Sequence, residues 1–500
     1  MALDTPTATA PRGALDRWFH ITERGSTVGR EFRGGIVTFF TMAYIIALNP
    51  LIIGTTPDAT GHLISGLPAT PENMGPTIAM VAAGTALIAG VMTIAMGVIG
   101  RFPLGLAAGL GLNALLAYVI APKMTWPQAM GLVVWEGVLI TILVLTGFRT
   151  AVFRAVPRSL RAGIAVGIGL FIAFVGLLDA GIVRKPEGAP PVEFGIGGSL
   201  MGWPVAVFVI GLALAAVLSA RRVPGALLIA IGASTVLAII VESVFRIGSM
   251  TDATGAVVNP TGWKLNVPEI RELFSLPDLS LLGRVDLFGG FTANGVEFGA
   301  VLMIVLLIFS LLLADFFDTM GTVVAVGAEG KLLDDAGNPP HLTQILLVDS
   351  AAAIAGGLGS VSSNTSYVES AAGVGEGART GLASVVTGGA FLVAVFLAPL
   401  VNVVPSEAAT PVLVFVGFLM MSQVSAVDWD EIEDGLPAFL TIALMPFAFS
   451  VTTGIGAGFI SYVALKVARG KFRQVHPLMY VVAVLFVIYF IQGLIGQAVG

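Results

Sequence analysis

Two carboxylates, three residues apart, stand next to one of the most apolar stretches of the sequence. Residues 315–322 read D-F-F-D-T-M-G-T, and the preceding residues 298–314 contain no charged side chain. On a helix, Asp315 and Asp318 project from roughly the same face. An ionisable group at membrane depth is costly and usually faces a cavity. We therefore predict that this pair, at the end of a membrane-spanning helix, belongs to a functional site and is not merely solvated at a helix end.

Composition places these acids in a membrane protein. Of the 500 residues, 56% are hydrophobic and 11% are charged, whereas soluble domains carry roughly 25% charged residues. The chain has no Cys, its four His show no metal-ligand spacing, and it contains no G-x-x-x-x-G-K-[ST] motif. We therefore expect no metal, no cofactor and no ATP hydrolysis. No basic cluster suggests nucleic acid as a partner.

Apolar stretches recur in two sets, and we predict an all-α polytopic protein of the cell membrane with about 14 spans. Residues 1–30 form a cytosolic tail, because arginines precede the first span. Residues 31–243 form a first repeat, residues 244–297 an external loop that is mostly irregular, and residues 298–468 a second repeat. Since each repeat has an odd number of spans, the second is inverted. Residues 469–500 form a last hydrophobic segment, which either crosses the membrane or packs along its inner leaflet.

The third segment of each repeat is a poor helix. Residues 103–118 are rich in Gly, and residues 360–377 are rich in Ser and Gly. We predict that both are broken, with short β pieces such as residues 362–367. Two inverted halves with interrupted helices at the same place are typical of secondary transporters, which bind their substrate at the interruption.

Polar and aromatic side chains from these segments would meet between the repeats. Asn113 and Glu369, in the broken segments, join Asp315 and Asp318, and such groups suit the edge of a flat heterocycle. Aromatic residues of the first and eighth spans either stack on that ring or pack their own helices: Phe39, Phe40, Tyr44, Phe316 and Phe317. We interpret two further acids, Glu136 and Asp349, as groups that brace neighbouring backbone.

Four motifs, in this order along the chain, are similar to those of the AzgA-like purine permeases, a branch of the nucleobase:cation symporter-2 superfamily. They are T-F-F-T-M-A-Y-I-I-A-L-N-P at 38–50, G-L-G-L-N-A-L-L-A-Y at 109–118, D-F-F-D-T-M-G-T at 315–322, and Y-V-E-S-A-A-G-V at 367–374, followed by E-G-A-R-T-G-L at 376–382. The resemblance covers about residues 30–470.

The resemblance implies the fold of uracil and xanthine permeases, with fourteen spans in two inverted repeats of seven. Residues 31–150 and 298–401 would form a core domain, and residues 157–243 and 408–468 a gate domain through which two copies form a homodimer. Members of this branch import hypoxanthine, adenine and guanine with protons as the coupling ion, by a motion that resembles an elevator.

The resemblance also assigns roles to residues. Asn113, Asp315 and Glu369 correspond to positions that contact the purine, and Asp318 to the second essential acid of its motif. From the side chains themselves, we expect Phe40 and Phe316 to line the same site and Asp318 or Glu369 to carry the coupling proton. The family's usual Pro-Gly-Met-Gly-Leu-Asn is replaced here by A-G-L-G-L-N at 108–113. This change leaves the preferred purine open.

Two alternatives deserve comparison with this prediction. An anion or dicarboxylate transporter of the same fold is disfavoured, because three acids at the site would repel an anion. An intramembrane aspartyl protease needs its two Asp on separate helices and a G-x-G-D signature, which the chain lacks. We therefore expect a transporter and not an enzyme.

Overall fold

The structure is a computed structural model. It describes residues 13–147, 156–186, 191–252, 256–269, 274–292, 298–334 and 338–499, with the backbone alone for Phe298 and residues 492–499. Residues 1–12 of the predicted cytosolic tail thus lie outside the described residues.

The described chain is mostly helical. The helices of the first half are α1 (Ala14–Phe19), α2 (Val28–Met42), α3 (Ile45–Ile53), α4 (Pro71–Ala95), α5 (Leu110–Leu115), α6 (Trp126–Leu145), α7 (Arg158–Asp179), α8 (Trp203–Ala220) and α9 (Ala226–Phe245). Those of the second half are α10 (Gly289–Thr292), α11 (Phe298–Glu329), α12 (Leu342–Leu358), α13 (Ser370–Gly375), α14 (Gly381–Ala394), α15 (Ser406–Met421), α16 (Ile432–Phe447), α17 (Val451–Ala468) and α18 (Pro477–Val499).

Shorter elements complete the described structure. π-helical turns span Met96–Gly100 and Leu116–Ile120, and 3₁₀ turns span Ala121–Lys123, Val395–Val403, Ser422–Ala426 and Phe472–Gln474. The strands are β1 (Leu106–Ala108), β2 (Val183–Arg184), β3 (Glu193–Phe194) and β4 (Asn364–Ser366). They form two antiparallel pairs, β1 with β4 and β2 with β3.

Ten helical segments among the described residues are long and apolar enough to cross a membrane. They include one that joins α2 and α3, and one that extends α4 through its π-helical turn. Shorter apolar helices occur at Leu110–Lys123, Leu342–Leu358 and Pro477–Ile491. A mostly helical chain with many candidate spans is thus confirmed, while the number of about 14 stays a prediction.

Helix α11 is longer than the sequence suggested. We predicted a span that ends near Phe317, whereas the helix continues to Glu329. The residues after Asp318 explain the difference, because T-M-G-T-V-V-A-V is apolar and contains no helix-breaking Pro. Asp315 and Asp318 consequently lie inside the helix, and neither is at its end.

The two poor helices meet each other. β1 pairs with β4 in antiparallel register, with Leu106 opposite Ser366 and Ala108 opposite Asn364. Both strands are fully buried, so each satisfies the backbone groups of the other where no water reaches them. Helix α5 follows β1, and α13 follows β4. The predicted short β pieces are confirmed in both segments.

The long helices pack in two groups. In one group, α7 contacts α15 and α16, and α8 contacts α9 and α15. In the other, α4 and α2 contact α14, α6 contacts α11 and α12, and the strand pair packs on α4 and α12. The groups touch through α11 with α7 and α3 with α15. The division into a core domain and a gate domain stays a prediction.

The connecting segments gather on two faces. On the face that we call the N-terminal face, Arg24 Nη1 donates to the Arg101 carbonyl at 2.7 Å, and Ser26 Oγ donates to the Gly377 carbonyl at 2.9 Å. On the opposite face, Trp126 Nε1 donates to the Thr56 carbonyl at 3.0 Å. The predicted loop 244–297 belongs to the opposite face. Its described residues are mostly irregular, although α9 continues to Phe245 before the loop begins.

The C-terminal helix α18 packs against both groups. It contacts α11 and α17. The buried ring of Phe486 lies 6.4 Å from Phe309 on α11 and 6.3 Å from Phe459 on α17. A side chain at Gly456 would meet the Phe486 ring at 2.5 Å, so this glycine allows the close approach of α17 and α18.

Helix α14 offers a matched test of close packing at two adjacent glycines. A Cβ at Gly388 would lie 2.5 Å from the Gly90 carbonyl oxygen on α4, whereas a Cβ at Gly389 would meet nothing within 4 Å. We expect Gly388→Ala to lower the free energy of unfolding by about 1–3 kcal/mol, because it overpacks the α4–α14 contact. The measurement is the midpoint of thermal unfolding of the purified protein in detergent.

The control is Gly389→Ala, which adds the same methyl group one position along the helix. It should leave the midpoint unchanged or raise it, because Ala is a better helix former than Gly. Equal midpoints for the two variants would contradict the packing described for α14.

Candidate functional site

Asp315 lies at the centre of the molecule with no solvent exposure. Neither of its carboxyl oxygens has a donor in hydrogen-bonding geometry, although the side chains of Thr365 and Glu136 lie close to them. Asp349 and Asp318 are also near enough to interact with it electrostatically. Thr365 belongs to β4, so the α11 acid is placed directly against the strand pair.

Asp349 braces the strand pair from α12. One of its oxygens accepts from Ser366 Oγ at 2.6 Å, and the other accepts from Thr319 Oγ1 at 2.8 Å. Thr319 Oγ1 in turn lies 2.8 Å from Thr365 Oγ1. Helices α11 and α12 are thereby joined to β4 by side-chain hydrogen bonds. The predicted bracing role of this acid is supported, but its partners are hydroxyl groups of side chains.

Asp318 and Glu369 form a second pair of acids. They are close enough to interact electrostatically. Tyr44, at the junction of α2 and α3, donates its hydroxyl proton to Glu369 Oε1. Thr41 Oγ1 donates to the backbone carbonyl of Glu369 at 3.3 Å. The broken second segment is therefore attached to the first span through both its side chain and its backbone.

Solvent reaches this second pair but not Asp315. Asp318 is exposed although protein atoms surround it on most sides, so its accessible surface belongs to a crevice. Val368, next to Glu369 in sequence, is 50% exposed, and Phe40, next to Thr41, is 48% exposed. Exposed positions continue along α11 at Val324, toward the N-terminal face. We therefore interpret the crevice as open toward that face.

Two buried side-chain amides, at and next to the strand pair, have no hydrogen-bond partner among the described residues. Asn113 and Asn364 have no solvent exposure, and the oxygen and nitrogen of both side-chain amides lack a hydrogen bond within the described residues. Asn364 begins β4, and Asn113 lies on α5, which packs against α11. Unpartnered buried polar groups cost about 1–3 kcal/mol each. A polar ligand that reaches them would recover this free energy.

The two aromatic residues predicted to line the site have different environments. Phe316 is buried, and its ring lies edge-on to Phe317 with 5.5 Å between centroids. Phe40 lies at the contact of the two helix groups, because a Cβ at Gly225 would be 3.2 Å from its carbonyl oxygen. Phe40 is therefore half-exposed at the contact of the two groups, whereas Phe316 packs inside the protein.

The opposite face of the molecule is closed. Lys264 Nζ lies 3.2 Å from Asp179 Oδ1, and the Tyr118 hydroxyl donates to Asp179 Oδ2 at 3.2 Å. The cavity beneath them, between α3 and α15, has a volume of about 30 Å³, enough for one or two water molecules. This cavity, as the described residues line it, has room for water but not for a molecule the size of a heterocyclic base.

The described site can bind a flat polar molecule and hold protons. Its inner part offers carboxyl and amide groups without partners, and its outer part offers two interacting acids next to water. Of the residues predicted from sequence, Asp318 and Glu369 are brought together, and Asp315 and Asn113 lie on elements that pack against each other. The sequence reasoning missed the hydroxyl of Tyr44 as the partner of Glu369 and the contact of Glu136 with Asp315. Glu136 is the one acid in the apolar helix α6. This isolated acid was the sequence feature that could have indicated a place for Glu136 in the site.

Comparison with known proteins adds independent information. Residues 29–458 match the family profile Xan_ur_permease, described as a permease family. The adenine permease AdeP of Escherichia coli (strain K12) is 35% identical over 489 residues, which cover 96% of this chain and 97% of that protein. The guanine/hypoxanthine permease PbuG of Bacillus subtilis (strain 168) is 34% identical over 484 residues, with 95% and 99% covered.

Solved structures show the same fold. The murine Solute Carrier 26 family member A9 anion transporter, in the inward-facing state, superposes with a TM-score of 0.58 over 93% of this chain and 74% of that chain. The sequence identity is 10%, so the likeness concerns the fold alone.

Asp349 allows a test of the bracing network. Asp349→Ala should lower the free energy of unfolding by about 1–3 kcal/mol, because the buried hydroxyl of Ser366 loses its acceptor. Asp349→Asn, which keeps one acceptor oxygen, should have a smaller effect. Thermal unfolding in detergent provides the measurement, with the exposed Asp430→Ala as a control expected within about 0.5 kcal/mol of wild type. An Asp349→Ala protein as stable as this control would show that the network contributes nothing.

Proposed function

This chain belongs to the permease family whose profile matches residues 29–458, and we propose that it imports purine nucleobases by proton symport. It is a multi-pass membrane transporter and not an enzyme. Its full-length relatives are named adenine and guanine/hypoxanthine permeases. The observation that carries the proposal is the set of unpartnered buried groups on Asp315 and Asn113, beside a crevice that contains Asp318 and Glu369.

The purine contacts the inner part of the site. A purine edge presents N–H donors and ring-nitrogen acceptors, which carboxyl and amide groups complement. Asp315 and Asn113 hydrogen-bond the base, and Glu369 contacts it from the broken second segment. Phe40 is placed to cover a ring at the crevice mouth. Phe316, which packs inside the protein, contributes by supporting the Asp315 turn of α11.

The coupling proton binds at the outer pair. Asp318 and Glu369 interact with each other and are accessible from the crevice. One bound proton removes the repulsion between these neighbouring negative charges. Tyr44 orients Glu369 through its hydroxyl group. A proton that enters with the base is therefore held where solvent from the N-terminal face can receive it.

Alternating access follows from the two helix groups. We infer that the group containing α11 and the strand pair moves as a core domain against a gate domain built around α7 and α15, as in an elevator. The crevice opens to the N-terminal face, which we assign to the cytosol, and the opposite face is closed. Fourteen spans in two inverted repeats and a homodimer formed through the gate domain, embedded in the lipid bilayer, complete the proposal.

The alternatives are not favoured. The fold is shared with an anion transporter, but the site holds several acids, which would repel an anion. Asp315 and Asp318 lie on a single helix, which does not fit the facing Asp residues of an aspartyl protease.

Glu369 provides the principal test of this function. Glu369→Ala should abolish uptake of labelled hypoxanthine, because the loss of a buried charged partner costs about 2–5 kcal/mol. Glu369→Gln should keep exchange of base across the membrane while losing uphill accumulation. Uptake is measured in a host that lacks its own purine permeases, with the exposed Glu329→Ala as the matched control. Normal, pH-dependent accumulation by Glu369→Ala would contradict the assignment.

The closed face gives a second test, for which the absence of Cys is useful. A single Cys at Thr55, which lines the closed cavity, should react slowly with a hydrophilic maleimide, while one at Val324 should react quickly. Adding Lys264→Ala removes the ion pair with Asp179, and it should speed labelling at Thr55→Cys and slow it at Val324→Cys.

The control for this experiment is Lys185→Ala, which removes an exposed lysine from the same face. Identical labelling rates with Lys264→Ala and Lys185→Ala would show that the Lys264–Asp179 pair does not hold this face closed.

A further inference from the structure

Glu136 and Asp315 face each other in the interior without a donor between them. Both side chains have no solvent exposure, and they lie close to each other where α6 packs against α11. Glu136 Oε1 accepts from Ser363 Oγ at 3.3 Å. Glu136 Oε2 and both oxygens of Asp315 lack a donor. Three carboxyl oxygens of these two acids therefore accept no hydrogen bond from the described residues.

Among the described residues, no positive charge is found beside these two acids. The charged groups that face the two acids are themselves acids, Asp349 from α12 and Asp318 from α11, and no ion pair within the described residues involves either Glu136 or Asp315. Two ionised carboxylates in contact repel each other, and each loses its hydration. One shared proton converts the contact into an O–H···O hydrogen bond, because a protonated carboxyl group is a donor.

We propose that Glu136 and Asp315 share one resident proton, and that Glu136 is by this means a positioning residue for the base. The hydrogen bond between the two carboxyl groups holds one oxygen of Asp315 toward α6 and leaves the other free for the purine. Ser363, on the segment leading into β4, fixes Glu136 in turn. The identity of the ligand in this inference rests on the proposed function. The presence of the shared proton does not depend on that function.

The resident proton differs from the transported one by its location. Glu136 and Asp315 are sealed from solvent, whereas Asp318 is exposed to the crevice. A proton that cannot exchange with the crevice does not follow the proton gradient. Glu136 therefore affects how tightly the base binds, and it does not affect the coupling of base to proton.

The experiment compares Glu136→Gln with Glu136→Leu. The amide of Gln donates a permanent N–H to Asp315 and keeps an oxygen for Ser363, so the KM for adenine should rise less than about threefold. Leu offers neither group, and the KM should rise about tenfold or more, since a charged acceptor then lacks its donor. In both variants the pH profile of uptake should keep the wild-type shape. Glu329→Gln and Glu329→Leu are the matched surface controls.

Two outcomes would overturn the proposal. A Glu136→Gln protein that binds adenine but has lost uphill accumulation would make Glu136 a coupling acid. A Glu136→Leu protein with the wild-type KM would show that Glu136 does not position Asp315. If wild-type protein transports no purine at all, the proposed function fails instead.

Infrared spectroscopy tests the proton without transport, and it remains informative if a variant is poorly active. The substrate-free purified protein should show the C=O stretch of a protonated carboxylic acid that resists exchange into D₂O. This band should disappear in Glu136→Gln and also in Asp315→Asn. A band that exchanges rapidly, or that persists in both variants, contradicts a proton shared by the two acids.

Discussion

The arrangement of this structure depends on the free-energy cost of burying acidic side chains inside a membrane protein. Five carboxyl groups lie around one short strand pair: Glu136, Asp315, Asp318, Asp349 and Glu369. Three of them have a neighbour that lowers the cost of burial: hydroxyl donors at Asp349, a tyrosine at Glu369 and the crevice at Asp318. Asp315 and Glu136 differ, since both oxygens of Asp315 and one oxygen of Glu136 lack a donor within the described residues. A buried carboxyl group without a donor costs free energy, and such groups are typical of sites that bind a ligand.

The β1–β4 pair makes this collection of acids possible. Three residues of each strand satisfy each other's backbone groups, so each broken segment can cross the interior without a complete helix. The hydroxyl groups of β4 also serve as donors to acids from neighbouring helices, with Ser366 bonded to Asp349. The same two strands therefore satisfy the backbone hydrogen bonds of the broken segments and position the side chains of the site. A base that binds here contacts both halves of the chain at once.

Sequence predicted the class of the fold, the broken segments and the location of the acids, because these follow from hydropathy, glycine content and the cost of buried charge. It misjudged α11, whose apolar continuation to Glu329 places Asp315 and Asp318 within the helix. It also could not foresee that Glu136, far from Asp315 in sequence, contacts it. Such a contact depends on how α6 and α11 pack, which no local pattern encodes. The hydrogen bond between Tyr44 and Glu369 could not be predicted for the same reason. An aromatic residue in an apolar helix is usually interpreted as a packing residue.

The most direct test of the account uses purified protein in liposomes with an imposed pH gradient. Labelled adenine, hypoxanthine, guanine and uracil are supplied outside, with the exterior acidic, and a protonophore is added in parallel. The account predicts that at least one purine accumulates above its external concentration, and that accumulation collapses with the protonophore while exchange continues. Accumulation that ignores the gradient, or uptake of uracil in preference to every purine, would contradict it.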